Sequence, residues 1–298
     1  MVAAVVVLYH PDQLLLGRLL KSIYEEVDAV FAVDNTPGSS TERPPFIGED
    51  FGPDSYIPLG DNMGIAAAQN VGIRKCLSEG YSHVLLLDQD SCPRPGMVRQ
   101  LLSAEQALLD SGVKVGAVGP SFIDEKNGSA SRVIRHGWFR VDRLAVDQSA
   151  KEPVEADYLI SSGSLIRASI LSEIGPMRDE LFIDWVDIEW GLRARCAGNR
   201  SFVVPDAVME HSIGDAFVHM IGKDVNLHND IRNYYIVRNA TYLLGLKTMG
   251  WKWRTVTIPK VPGYVLFYSW HSCNRWNSLK LLCKAVSDGV RGRVGRLA

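Results

Sequence analysis

The stretch VAAVVVLY (Val2–Tyr9) constrains the fold more than any other. It is an almost unbroken apolar and β-branched run without polar alternation. Such a run suits a strand covered on both faces, as strands are in parallel sheets. AVFAVDN (Ala29–Asn35), HVLLLDQD (His83–Asp90) and VKVGAVGP (Val113–Pro120) read the same way, and SYIPLG (Ser55–Gly60) is a shorter strand that Pro58 marks as an edge or irregularity. Helical patterns lie between them. Leu15, Leu19, Leu20 and Ile23 recur at helical spacing. Asn62 is placed to cap a helix with a small face of Ala66, Ala67, Asn70 and Val71. Pro95 suits the first turn of a helix running to about Leu109. The resulting order, β-α-β-β-α-β-α-β, predicts an α/β fold with a largely parallel central sheet between flanking helices.

The pattern changes after Pro120. SFIDEKNGSASRV reads as a turn-rich excursion, and ADYLISSGSLIRA as a strand-like run broken at Ser161-Ser162-Gly163, where either a bulge or a close approach to a ligand is expected. ASILSEIG is a short helix closed by Gly175, the acidic stretch from about residue 184 is a helix ended by Gly198, and SFVVP is a strand. A long helix starts at Asp230 and runs to about Gly250. The organisation expected is one domain over 1–240, in two halves that meet at about residue 120, followed by a C-terminal helical extension, 241–298.

Charge separates that extension from the body. Residues 1–241 hold 22 basic and 33 acidic side chains, whereas 242–298 hold 10 basic and one acidic. A basic end rich in Trp and Tyr either meets an anionic membrane surface or packs on the acidic body. Nucleic acid is disfavoured, because the acid clusters would repel it. Five Cys without paired ligand spacing point to a reducing, cytoplasmic setting. MVAAVVVLYHPD lacks a basic leader and is read as a strand and not as a secretion signal, and no run of about 18 uncharged apolar residues suggests a spanning helix.

Ligands of parallel α/β sheets bind beyond the carboxyl ends of the strands. Tyr9 with His10, Asp34 with Asn35, and Asp88 through Asp90 all lie at such ends, so three strands deliver polar groups to one rim. Asp88 and Asp90, two apart, point to the same side if the chain there is extended. Two such carboxylates repel unless a proton or a hard divalent cation intervenes, and a cation would suit a diphosphate. The fingerprints G-x-G-x-x-G, G-x-x-x-x-G-K-[ST] and G-x-S-x-G are absent, so Rossmann, P-loop and nucleophile-elbow chemistry are disfavoured. Asp184 and Asp187 share a helical face if the acidic helix starts at 184, with Trp185 and Trp190 available to bury one of them. Arg232 and Arg238, with Tyr234 and Tyr235, could close over a diphosphate, or the arginines could merely neutralise the body's acids.

These features, in this order, resemble the GT-A inverting glycosyltransferases of glycosyltransferase family 2. The resemblance rests on Tyr9-His10-Pro11, VDN (Val33–Asn35), NMGIAAAQNVGI (Asn62–Ile73), LLLDQD, LISSGSLIR (Leu159–Arg167), LFIDWVDIEWGLR (Leu181–Arg193), His211 and RNYYIVRN (Arg232–Asn239). Within that group LDQD, ISSGSLI, FIDWVDIEW and the Tyr-Tyr-x-x-Arg-Asn run look most like bacterial rhamnosyltransferases that use dTDP-L-rhamnose. The resemblance implies that Asp34 accepts from the pyrimidine N3–H, with Tyr9, His10 and Asn35 around the base. Asn62, Gly64 and Asn70 would lie around the nucleotide, and Asp88 and Gln89 toward the ribose and sugar. Asp90 would hold Mg2+ or Mn2+ on the diphosphate, with His211 a second ligand or a diphosphate contact, and Asp187 would be the catalytic base, although Val186 stands where the family more often has Glu. The catalytic domain, 1–240, would have a nucleotide-sugar half to about 120 and an acceptor half over 121–240. The implied acceptor is a glycan or lipid-linked glycan of cell-surface polysaccharide or lipopolysaccharide, met at the cytoplasmic face of the inner membrane. A UDP-hexose donor, a nucleotidyltransferase and a non-catalytic nucleotide-sugar-binding module are the alternatives.

Overall fold

The computed structural model describes residues 1–40, 44, 55–124, 132–136, 141–211, 217–220, 223–226 and 229–297; side chains from His211 to His228 lie outside the description. β1 (Val2–Leu8) is buried at every position. Ala3, Val5 and Val7 enter one apolar core, and Val2, Ala4, Val6 and Leu8 enter another on the opposite sheet face. The unbroken apolar run is thus two interleaved faces, as a doubly covered strand requires.

α1 (Gln13–Ile23) follows, capped by the Asp12 carboxylate, which accepts from the Leu14 and Leu15 amides. Its buried stripe is Leu16, Leu19, Leu20 and Ile23; the expected Leu15 is only half-buried. β2 (Ala29–Asp34) and β3 (Tyr56–Pro58) pair in parallel beside β1. α2 (Ile65–Ser78) then buries a broader face than expected, with Ala66, Ala68, Gln69, Asn70, Gly72, Ile73 and Cys76 inside and Ala67 and Val71 half-exposed. Gly72 lets it settle on the sheet, because a Cβ there would collide with Val5. β4 (His83–Asp88) lies parallel to β1 on its other side.

β5 (Ser91–Pro93) and α3 (Met97–Asp110) come next. The helix begins two residues beyond Pro95, and its amino end is capped from a distance, the Glu26 carboxylate accepting from the Gly96 and Val98 amides. β6 (Val115–Asp124) runs through SFID, part of the stretch expected to be turns, because Val208–His211 offers those residues a parallel partner.

β7 (Arg132–His136) and β8 (Val141–Ala145) form a hairpin, and β9 (Val154–Ala156), β10 (Leu165–Arg167) and α4 (Ala168–Ile174) follow. α5 (Val186–Cys196) starts two residues later than the sequence suggested. β11 (Arg200–His211) is followed by the β12 (Phe217–Met220) and β13 (Lys223–Asn226) hairpin.

α6 (Asp230–Leu243) ends earlier than expected, and α7 (Gly250–Thr257), α8 (Lys260–His271) and α9 (Arg275–Val290) complete the chain. The sheet order is β3-β2-β1-β4-β10-β6-β11-β5; β3 to β4 are parallel, β10 is antiparallel to both its neighbours, β6 and β11 are parallel, and β5 and β9 pair antiparallel with β11. Residue 241 is no break in packing. Tyr234 and Val237 of α6 share one apolar core with Leu282 and Ala285 of α9, and Gly289 packs against Arg238 and Thr241.

Candidate active site

Because β2, β1 and β4 are parallel neighbours, Leu8 stands opposite Asp34 and Val7 opposite Asp88. The three polar strand ends therefore meet at one rim. Asp34 is nearly inaccessible; its carboxylate accepts from the Tyr56 hydroxyl at 2.7 Å and from the Thr36 amide at 2.9 Å. The carboxylate and burial push the Tyr56 hydroxyl far above its ordinary pKa, so it stays a donor. Asn35 accepts from the Met63 amide at 2.7 Å and donates to Asn62, which accepts from the Gly64 amide. Asn62 thus shapes the approach to α2, while Gly64 occupies the cap position itself. Gln89 is a strut, accepting from the Tyr9 amide and donating to the Tyr9 carbonyl.

Asp88 closes β4, while Gln89 and Asp90 form a turn, so the two carboxylates are not carried on extended chain as the spacing suggested. The Asp88 amide donates to Ser162, whose hydroxyl also pairs with Ser91 at 2.6 Å. Ser161 to Ser164 form a turn, and Gly163, at φ +78°, passes so close to Pro120 that a Cβ would overlap it. This turn leads into β10 and braces the acid-bearing strand end, and Ser161 reaches the cleft.

The second half of the site is the segment before α5. Phe182, Asp184 and Trp185 all have φ between 60° and 65°, a region bulky L-residues rarely occupy. It is held from α6. The Asn239 amide donates to the carbonyls of Leu181, Ile183 and Asp184 at 2.8–2.9 Å, and Arg238 donates to Leu181 at 3.0 Å and to Gly295 at 2.9 Å. Tyr235 stacks on Phe182 with ring centroids 4.9 Å apart, and Gly64 meets Phe182 so closely that only glycine fits. Asn70 donates to the Met177 carbonyl and to Asp179, steadying the same segment one turn earlier.

Arg238, only 1% exposed, together with Tyr235 and Asn70, therefore supports the acid segment from behind, and the described contacts of these side chains lie within the protein. Tyr234 donates to Asp288 instead. Sequence reasoning passed over Asn239, although it ends the very motif quoted for its arginines.

The strained turn sets two acids apart. Asp184 lies outside the helix and pairs with Arg232 at 3.3 Å, so it does not share a helical face with Asp187. Asp187 sits in the first turn of α5 and accepts from the Ile188 amide at 2.8 Å. Burial, with the nearby Asp184 and Asp88 carboxylates, raises its pKa from 3.8 to about 6 despite that hydrogen bond. Glu189 is consumed by Arg178 and Arg193. Asp88, Asp184, Asp187 and Arg232 line a cleft of about 870 Å³, together with Tyr158 and Trp253. A carboxylate with that pKa can take a proton from a hydroxyl near neutral pH.

No group of three or more His, Cys, Asp and Glu side chains converges among the described residues. The donor chemistry nevertheless fits a hard divalent ion. Asp88 and Asp90 supply oxygens at the rim, and the backbone of His211 is paired with Ser91, next to Asp90, although its side chain lies outside the described residues.

The sequence pattern of glycosyl transferase family 2 matches residues 4–175, more than half of the chain. The chain belongs to glycosyl transferase family 2. A curated relative of this family 2 chain, the dTDP-rhamnosyl transferase RfbF of Shigella flexneri, is 33% identical over 98% of this chain and 96% of its own length. Solved structures share the fold. S. aureus TarS 1–349 in complex with UDP-GlcNAc superposes with a TM-score of 0.57 at 15% identity, covering 98% of this chain and 82% of that one. GalNAc-T7 with UDP, GalNAc and Mn2+ gives 0.56 at 12% identity, with 98% of this chain matching 57% of that one. The protein is thus a glycosyltransferase with the expected fold.

Proposed function

We propose that this glycosyltransferase transfers L-rhamnose, with inversion, from dTDP-β-L-rhamnose to a hydroxyl of a glycan acceptor, carried on a lipid, in cell-surface polysaccharide or lipopolysaccharide synthesis. The donor reading rests on the near full-length identity to a dTDP-rhamnosyl transferase. The mechanism rests on one observation, the half-buried Asp187 with a pKa of about 6 at the cleft that also contains Asp88.

In this reading Asp187 removes the acceptor proton as the new C–O bond forms on one face of the sugar. The bond from the anomeric carbon to the diphosphate breaks on the other face, and dTDP leaves with that electron pair. Asp184, neutralised by Arg232, orients the acceptor. Asp34 receives the pyrimidine N3–H on the carboxylate capacity that Tyr56 and Thr36 leave, with Tyr9, His10 and Asn35 around the base, Asn62 and Gly64 shaping the nucleotide edge, and Gln89 holding Tyr9 in place. Asp90 with His211 would hold Mg2+ or Mn2+; such an ion supplies positive charge to the diphosphate as it departs. The Mn2+ in the GalNAc-T7 structure supports that choice of ion class.

The donor is tested by product analysis with dTDP-rhamnose and UDP-hexoses offered separately to the purified chain. Transfer from dTDP-rhamnose is expected. Transfer from a UDP-hexose alone would overturn the rhamnose reading and leave the family.

A further inference from the structure

We propose that the outward face of α7, α8 and the start of α9 is a docking surface for an anionic phospholipid membrane. The backbone stays in the right-handed helical region through Ile258 and Pro259, so α7 and α8 follow one another almost without interruption. Their two faces differ. Trp253, Lys260, Tyr264 and Tyr268 turn inward and line the cleft that contains Asp187. Trp251, Ile258, Leu266 and Trp270 turn outward and are 58–69% exposed, and Trp276 at the start of α9 is 74% exposed. At helical spacing, 251, 258, 266 and 270 fall on one stripe. Arg275 lies over the Trp270 ring, 4.4 Å from its centroid, which gathers Trp270, Arg275 and Trp276 at one corner.

Charge complementarity selects the occupant. Of the side chains from Tyr242 to Leu297 only Asp288 is acidic, and it is 4% exposed, held by Tyr234, Lys284 and Arg293. This segment therefore exposes Lys252, Arg275 and Lys280 with large apolar side chains, and no exposed carboxylate of its own. Exposed Trp among Lys and Arg on a helix face is the arrangement that lies in a headgroup layer, where basic side chains meet anionic lipid. No described helix is long and apolar enough to cross a membrane, so contact would be along the surface. One helix diameter, about 10 Å, then separates the headgroups from the cleft.

The C-terminal segment is part of the core, so the test uses point variants of the full chain. Co-sedimentation is measured with phosphatidylcholine vesicles with and without phosphatidylglycerol. Binding to the anionic vesicles, reversed by salt, is expected. It should fall by about tenfold or more in Trp270→Ser/Trp276→Ser and in Arg275→Glu/Lys280→Glu. Leu14→Ser, at an exposed apolar residue on α1, should bind like the parent. Equal thermal melting of the variants excludes misfolding as the cause. Absence of binding, binding indifferent to phosphatidylglycerol, or unchanged binding by both double variants would overturn the proposal. So would a dimer that the Trp substitutions dissociate while vesicles are ignored, which would make the occupant a second copy. No readout here depends on the donor or on turnover.

Discussion

The side-chain amide of Asn239 lies 2.9 Å from the Asp184 carbonyl and donates to it, which ties α6 to the left-handed turn that carries Asp184 and leads into the helix of Asp187. The same amide also reaches the Leu181 and Ile183 carbonyls, so its two N–H donors are shared among three carbonyls of the irregular segment, with Arg238 assisting at Leu181.

Asn239→Ala should therefore cost more than an ordinary buried polar truncation. Taking this donor from the Ile183 and Asp184 carbonyls, while Leu181 keeps Arg238, is expected to destabilise the fold by about 2–4 kcal/mol. It should also lower kcat, because Asp187 follows directly from the loosened turn. Denaturant unfolding and steady-state turnover check the pair; loss of stability with full kcat would mean that the turn does not position Asp187.

In the proposed reading Asp34 recognises the base, whereas Tyr56 only braces Asp34. Asp34→Ala is expected to raise KM for the dTDP sugar about tenfold or more with kcat little changed, since the base lies far from the bond that breaks. Tyr56→Phe, which removes only the internal donor, should cost about 1 kcal/mol of stability and leave KM near the parent value. Equal KM effects in the two variants would assign Asp34 to scaffolding.

Ion dependence is read without turnover. Calorimetric affinity for dTDP should fall about tenfold or more on chelation of Mn2+ or Mg2+. Asp90→Ala should abolish the gain given by the ion while retaining the weak ion-free affinity. An unchanged affinity in both experiments would remove Asp90 from diphosphate binding.

Much of this was legible because the decisive signals are local. The apolar runs at Val2 and His83 have one physical solution, a strand covered on both sides, and each ends in polar residues, so the rim followed from register alone. Long-range packing was not legible. Arg238 and Tyr234 look like phosphate ligands in sequence, and nothing nearby announces that Gly295 and Asp288, more than 50 positions later, will occupy them. Asp184 and Asp187 share a face only if the helix starts at 184; the left-handed residues 184 and 185 prevent this, and no glycine marks the turn. The outward Trp stripe on α7 and α8 was visible as composition, but which aromatics face the cleft required the fold.

Asp187 also has a cost to stability that can be measured. The unfolded chain releases this proton near pH 3.8, whereas the folded protein holds it to about pH 6. Raising the pH through that window therefore favours the unfolded chain, and the penalty is complete above about pH 6. Asp187→Asn removes it. The variant should be about 1–3 kcal/mol more stable than the parent at pH 8, with the difference vanishing near pH 4. Chemical denaturation at the two pH values checks the sign.

The central claim is that Asp187 takes the acceptor proton. The most direct measurement is the single-turnover rate of sugar transfer by Asp187→Asn with donor saturating, beside the parent over a pH series. The parent rate should rise with pH through about 6 and level off, and the variant should be about 100- to 10,000-fold slower with dTDP affinity retained. A variant rate close to that of the parent, with the same rise near pH 6, would contradict the account and move the base elsewhere in the cleft.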